Sequence, residues 1–110
     1  MESLLQRLRQ FRDERNWSEF HTPKDLAVSV SIEAGELLEL FQWRPDTAPI
    51  GDEVKSAVAD EAADVLLYLL MLCDRLDIDL EEAAHSKISR NERRYPIESS
   101  YGIARSRRKF

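Results

Sequence analysis

The sequence predicts an all-α fold, a bundle of four helices that works as an oligomer, and three observations lead there. Three Gly and four Pro in 110 residues are too few turn-formers for a many-stranded sandwich or barrel. Apolar residues recur at spacings of three and four along most of the chain, the period of a helix with one buried face. The run Val65-Leu66-Leu67-Tyr68-Leu69-Leu70-Met71-Leu72-Cys73 is apolar on every side of a helix, so water suits none of its faces. A small monomer rarely buries one helix all round, so one face is expected to pack within the subunit and another across an interface between copies.

The first helix is read over about residues 2–15, where Leu4, Leu5, Leu8 and Phe11 form one stripe and Arg7, Arg9, Arg12 and Arg15 are expected in solvent. The segment Asn16-Trp17-Ser18-Glu19-Phe20-His21-Thr22-Pro23 breaks the pattern. Thr22 before Pro23 marks a helix start, because a hydroxyl caps free backbone N–H groups and proline suits the first helical position. The second helix is predicted from Pro23 to Trp43, stopped by Arg44-Pro45-Asp46. The third is predicted from near Asp52 to about Leu76, and a fourth from there to about Arg94, before Tyr95-Pro96. Residues 97–110 show no apolar period and are read as a tail or arm.

Charge is unevenly placed. Residues 1–86 hold 19 acids against 8 bases, and residues 87–110 hold 2 acids against 8 bases, within a net charge of −5. An acidic body with a basic end has two readings, a solvated surface with a basic tail, or separate places for cations and polyanions. The lone Cys73 cannot form an intrachain bridge and points to a reducing compartment or a buried thiol. With no apolar run at the start and none of membrane-spanning length, the expectation is a cytoplasmic protein without a membrane partner.

The carboxylates carry the chemistry. The second helix has a seam of Leu26, Val30, Glu33, Leu37 and Leu40, and the third has Val54, Val58, Glu61, Val65, Tyr68 and Leu72, so Glu33 and Glu61 occupy core positions. Each has a second acid three residues on, Glu36 and Asp64, on the same helix face. Two antiparallel helices would bring four carboxylates together, and unpartnered ionised carboxylates are costly to bury. Basic residues are missing from both seams, which leaves a metal ion and a partner chain's bases as the two ways to neutralise them. An all-oxygen set without His or Cys at ligand spacing suits Mg²⁺, with Mn²⁺ as a substitute, and argues against zinc. Mg²⁺ often joins carboxylates to phosphates, and Lys87, Asn91 and Arg94, at spacings of four and three, offer a basic group for phosphate oxygens, or an ordinary basic helix end.

The motifs Glu33-Ala34-Gly35-Glu36 and Glu61-Ala62-Ala63-Asp64, 24 residues apart, resemble the E-x-x-E and E-x-x-D signature of the MazG-like all-α nucleoside triphosphate pyrophosphohydrolases. Phe20-His21-Thr22-Pro23, Glu39-Leu40-Phe41-Gln42-Trp43, Asp64-Val65-Leu66-Leu67-Tyr68-Leu69 and Arg94-Tyr95-Pro96 bring the resemblance nearest to the dCTP pyrophosphatase group. It extends from Arg15 to Pro96, so residues 1–96 are read as the family domain and 97–110 as a tail. The resemblance implies Mg²⁺-dependent hydrolysis of a nucleoside triphosphate, dCTP or a modified relative, to the monophosphate and pyrophosphate by a homodimer or homotetramer. It implies Glu33, Glu36, Glu61 and Asp64 as metal ligands and catalytic residues. Trp17, His21, Trp43 and Tyr68 resemble its nucleoside pocket, with a pyrimidine between the two tryptophans, and Lys87, Asn91 and Arg94 match its phosphate-contacting region. Two other readings stand beside it: a non-catalytic helical interaction module, and nucleic-acid binding through Arg105-Ser106-Arg107-Arg108-Lys109, which rests on charge alone.

Overall fold

The structure is a computed structural model and describes residues 1–103. Its elements are α1 (Glu2–Glu14), a 3-10 turn (Ser18–Phe20), α2 (Pro23–Glu39), α3 (Asp52–Arg75), α4 (Leu80–Arg94) and a single turn, α5 (Ile97–Ser100), with no strand among the described residues. The all-α class and the four long helices agree with the sequence reading. The basic run Arg105–Lys109 lies outside the described residues. The chain divides into two compact units, 1–78 and 79–110.

In the first unit α2 packs along α3, and α1 packs against α3. Helix starts follow the local chemistry. Thr22 Oγ1 accepts from the Asp25 backbone N–H at 3.2 Å, with Pro23 as first helical residue. In the second unit Asp79 Oδ1 accepts from the Glu82 N–H at 3.0 Å and opens α4. Two helix ends use a residue in the left-handed region. Asn16 (φ 51°) ends α1, with the Trp17 N–H donating to the Arg12 carbonyl at 3.1 Å and the Asn16 N–H to the Asp13 carbonyl at 3.1 Å. Asp77 (φ 55°) ends α3 in the same way through Ile78 and Cys73. Asn and Asp tolerate this geometry better than other residues with a Cβ.

Three points depart from or add to the sequence expectations. Helix α2 stops at Glu39, not Trp43. Residues 40–44 tighten into turns, with Phe41 N–H bonded to Leu38 O and Arg44 N–H to Phe41 O, both 2.9 Å, while Arg44 Nη2 donates to the Pro49 carbonyl at 2.7 Å. That side-chain bond and the extended geometry Pro45 imposes on Arg44 turn the chain out of the helix. Second, one turn, α5, forms at the start of the stretch read as a tail or arm, too short to display an apolar period. Third, Arg12 and Arg9 are not both free in solvent. Arg12 follows buried Leu8 by four residues, on the face toward α3, and its side chain is only 17% exposed beside Asp74 at 15%.

The apolar core of the isolated chain is small. Leu8, Leu26, Leu70 and Cys73 are buried, with Leu26 the most deeply so. Most of the apolar run of α3, Val65 to Leu69, Met71 and Leu72, is only half-buried. No helix among the described residues is long and apolar enough to cross a membrane.

Candidate functional site

The two carboxylate seams meet. On α2 every seam position from Leu26 to Leu37 is shielded at least in part, as is Leu40 just past its end, and so is every seam position on α3 from Val54 to Leu72. Glu33 therefore faces α3, and carboxylate oxygens of Glu33, Glu61 and Asp64 lie within 4.8 Å of one another. Glu36 is exposed, outside this group of three, yet close enough to interact with both Glu33 and Glu61.

Oε2 of Glu33 and Oε2 of Glu61 are buried, and with the cluster ionised no donor reaches them. Such oxygens either take up a proton or receive a cation. In the protein alone the crowding of carboxylates favours the protonated form. Glu33 is pushed up to about 7, first through the hydrogen bond its protonated carboxyl makes with Glu36, then by lost hydration and by repulsion from Glu36, Asp64 and Glu61. Glu61 is also raised, by burial first and by its Glu36 and Asp64 neighbours. The cluster thus fits a hard divalent cation, since it offers oxygen ligands only, two of them unsatisfied, and among the described residues no Lys or Arg forms an ion pair with any of the three.

Asp64 also belongs to a second feature. It lines a cavity of about 230 Å³ together with Arg12, Trp17, His21 and Tyr68. Leu8, Phe11, Leu67 and Met71 make its apolar walls. Phe11 meets Trp17 edge to face, with ring centroids 5.7 Å apart at 78°, and Arg15 lies over the other ring at 3.8 Å from the Phe11 centroid. This stack and the left-handed Asn16 set the Trp17 ring at the cavity while leaving it half-exposed. His21 Nδ1 is buried without a hydrogen-bond partner. Burial first, and then the charges of Arg12 and Arg75, hold the His21 imidazole below its ordinary pKa, so it is neutral at pH 7 and offers one donor and one acceptor.

The structure therefore brings together Glu33, Glu61, Asp64, Trp17, His21 and Tyr68. Trp43 does not line this cavity. It sits on the turn after α2 with its side chain in solvent, 87% exposed, so a sandwich between Trp17 and Trp43 is not formed within one chain. Lys87, Asn91 and Arg94 lie on α4 in the second unit, Asn91 buried and the other two exposed, with the Arg94 guanidinium 5.6 Å from the Tyr95 ring centroid. Sequence reasoning missed Arg12 as a lining residue. The available signal was its spacing of four from Leu8.

An all-helical scaffold with an acidic cluster between two packed helices, opening on an aromatic pocket, defines a class of helical proteins whose cluster could hold a metal ion. Residues 28–109 match the model of the MazG-like family, and the chain belongs to that family. It is 42% identical over 100 residues to mouse dCTP pyrophosphatase 1, covering 86% of this chain and 58% of the mouse protein. Human dCTP pyrophosphatase 1 is 42% identical over 91 residues, 79% of this chain and 54% of the human one, so the chain spans little more than half the length of these relatives. A crystal structure of a pyrophosphatase from Archaeoglobus fulgidus superposes with a TM-score of 0.78 at 52% identity, covering 87% of this chain and 92% of that one.

Proposed function

We propose that this protein is a Mg²⁺-dependent nucleoside triphosphate pyrophosphohydrolase that converts dCTP, or a modified relative, to the monophosphate and pyrophosphate, as the names of its relatives suggest. The observation that carries the reading is that Asp64 is shared. It is a member of the carboxylate cluster and also a wall of the pocket beside Trp17, His21 and Tyr68. A base in that pocket would hold its phosphates toward the acids.

Glu33, Glu61 and Asp64 would hold the cation, with Glu36 beside them, and Mn²⁺ is the natural substitute. When bound, the cation supplies neutralisation of phosphate charge and a more acidic water. The chain supplies the rest. Trp17 offers a flat face for the base, a contact of ~1–3 kcal/mol on the usual scale. His21, neutral and unpartnered at Nδ1, reads the polar edge of the base, and Tyr68 packs on the sugar side. Glu33 or Glu36 orients the attacking water or takes its proton. Lys87, Asn91 and Arg94 take phosphate oxygens, a role that rests on their match to the family pattern. The exposed apolar residues Val28, Ile32, Leu38, Phe41 and Trp43 support a homodimer or homotetramer that covers them. An assembly of this kind is also where Trp43 would reach a nucleotide. A cytoplasmic setting fits the unpaired Cys73.

The test is release of pyrophosphate from a panel of canonical and modified nucleoside triphosphates, with Mg²⁺ and then with EDTA. Metal-dependent release favouring one or two pyrimidine deoxynucleotides is expected. No release from any nucleotide by a folded oligomer would sink the hydrolase reading and favour an interaction module.

A further inference from the structure

The mechanism above leaves one charged pocket residue unused. Among the described residues Arg12 is the only cation lining the cavity that holds Trp17, His21, Asp64 and Tyr68. It is held rigidly. Its Nε donates to Asp13 Oδ1 at 2.9 Å and its Nη1 to Asp74 Oδ2 at 3.2 Å. Asp74 is itself pinned from the other side, because Arg9 donates to its Oδ1 through both Nε and Nη2. Nη2 of Arg12 is left without a partner among the described residues. A guanidinium held by carboxylates outside the pocket, on a side chain that lines it and with Nη2 left over, is preorganised to meet an acceptor on whatever the pocket binds.

We infer that Arg12 is a specificity-determining residue that reads an acceptor edge on the bound base, a carbonyl oxygen beside an unprotonated ring nitrogen. Cytosine presents that pair. Uracil and thymine place an N–H where the second acceptor is needed, and a fixed cationic donor disfavours it. Asp74 acts through Arg12, as a positioning residue. This inference rests on the nucleotide-pocket part of the proposed function and deepens it, since it supplies a physical reason for preferring cytosine.

The experiment is calorimetric binding of dCMP, dUMP and inorganic pyrophosphate in the presence of Mg²⁺, none of which requires turnover. Arg12→Ala is expected to weaken dCMP binding by about 10- to 100-fold, to bring the dCMP to dUMP preference close to unity and to leave pyrophosphate unchanged. Arg12→Lys, which keeps the charge but not the planar fork, is expected to fall between. Arg9→Ala loosens Asp74 without touching the pocket and is expected to show a smaller loss of dCMP preference in the same direction, whereas Lys55→Ala removes an exposed cation of α3 outside the pocket and is expected to bind as the unmodified protein does. Circular dichroism and Tm show whether each variant is folded. Equal loss for all three ligands, no loss of preference, or a Lys55→Ala variant that reproduces the effect would overturn the assignment, and so would an unmodified protein that binds neither monophosphate. Arg12-dependent dCMP binding without pyrophosphate release from dCTP would refute hydrolysis alone. Release of pyrophosphate with Arg12-independent binding would refute the role of Arg12 alone.

Discussion

Cation binding to the cluster of Glu33, Glu61 and Asp64 is expected to displace a proton at neutral pH, because Glu33 titrates at about 7 in the protein alone and metal ligands must be ionised. Glu33, pushed up to about 7, is mostly protonated at pH 6 and mostly ionised at pH 8, so proton release per ion bound is expected to fall steadily across pH 6, 7 and 8. Glu61, raised in the same direction, adds to the release at the acid end. Below pH 7 the apparent affinity falls by about tenfold per pH unit from Glu33 alone. Calorimetric titration with Mg²⁺ or Mn²⁺ in two buffers of different ionisation enthalpy, repeated at the three pH values, counts the protons directly. The same titrations on Glu33→Gln are expected to show weaker binding with most of the release gone. Release that does not change with pH, or that survives intact in Glu33→Gln, would refute the reasoning, since the proton would then come from elsewhere.

The same groups set the stability of the metal-free protein. Glu33 is raised from an ordinary value of 4.5, so the folded state holds a proton that the unfolded chain has lost, and Tm is expected to fall as pH rises from about 4.5 to 7 and to recover on adding Mg²⁺. Asp74 is held below its ordinary 3.8, first by hydrogen bonding from Arg9 and then from Arg12, so its contribution is present above that value and is lost on further acidification, which an acid titration of Asp74→Ala beside the unmodified protein reads out. Glu61→Gln and Asp64→Asn are expected to lower turnover by more than about a hundredfold with helix content and oligomer size unchanged, as steady-state kinetics with circular dichroism and light scattering would show. Asn16→Val forces a branched residue into the left-handed region at the start of the Trp17 segment, at a cost of about 1–2 kcal/mol, whereas Asn16→Gly is expected to keep both Tm and nucleotide affinity.

Local rules made much of this protein legible before any coordinates. The four long helices follow from period, and Thr22-Pro23 starts a helix because capping is decided within one turn of chain. Glu33 and Glu61 are legible as inward-facing acids because helix geometry ties a position in a seam to a direction in space. The family signature added which acids to expect together. The end of α2 was not legible, because it depends on Arg44 reaching the Pro49 carbonyl across a loop.

The roles of the arginines and aromatics depended on tertiary structure altogether. Arg7, Arg9, Arg12 and Arg15 have similar local sequence, yet Arg12 is covered at the pocket by its hydrogen bond to Asp74, 62 residues along the chain, and Arg15 stacks on Phe11. Trp17 and Trp43 look equivalent as flat apolar rings, and only the packing of α1 against α3 separates the one that lines the cavity from the one in solvent. Periodicity reports which way a residue points from its own helix. What it meets there, whether a carboxylate, a cavity or water, is set by residues far away in the chain, and the energies that follow from that meeting belong to the fold.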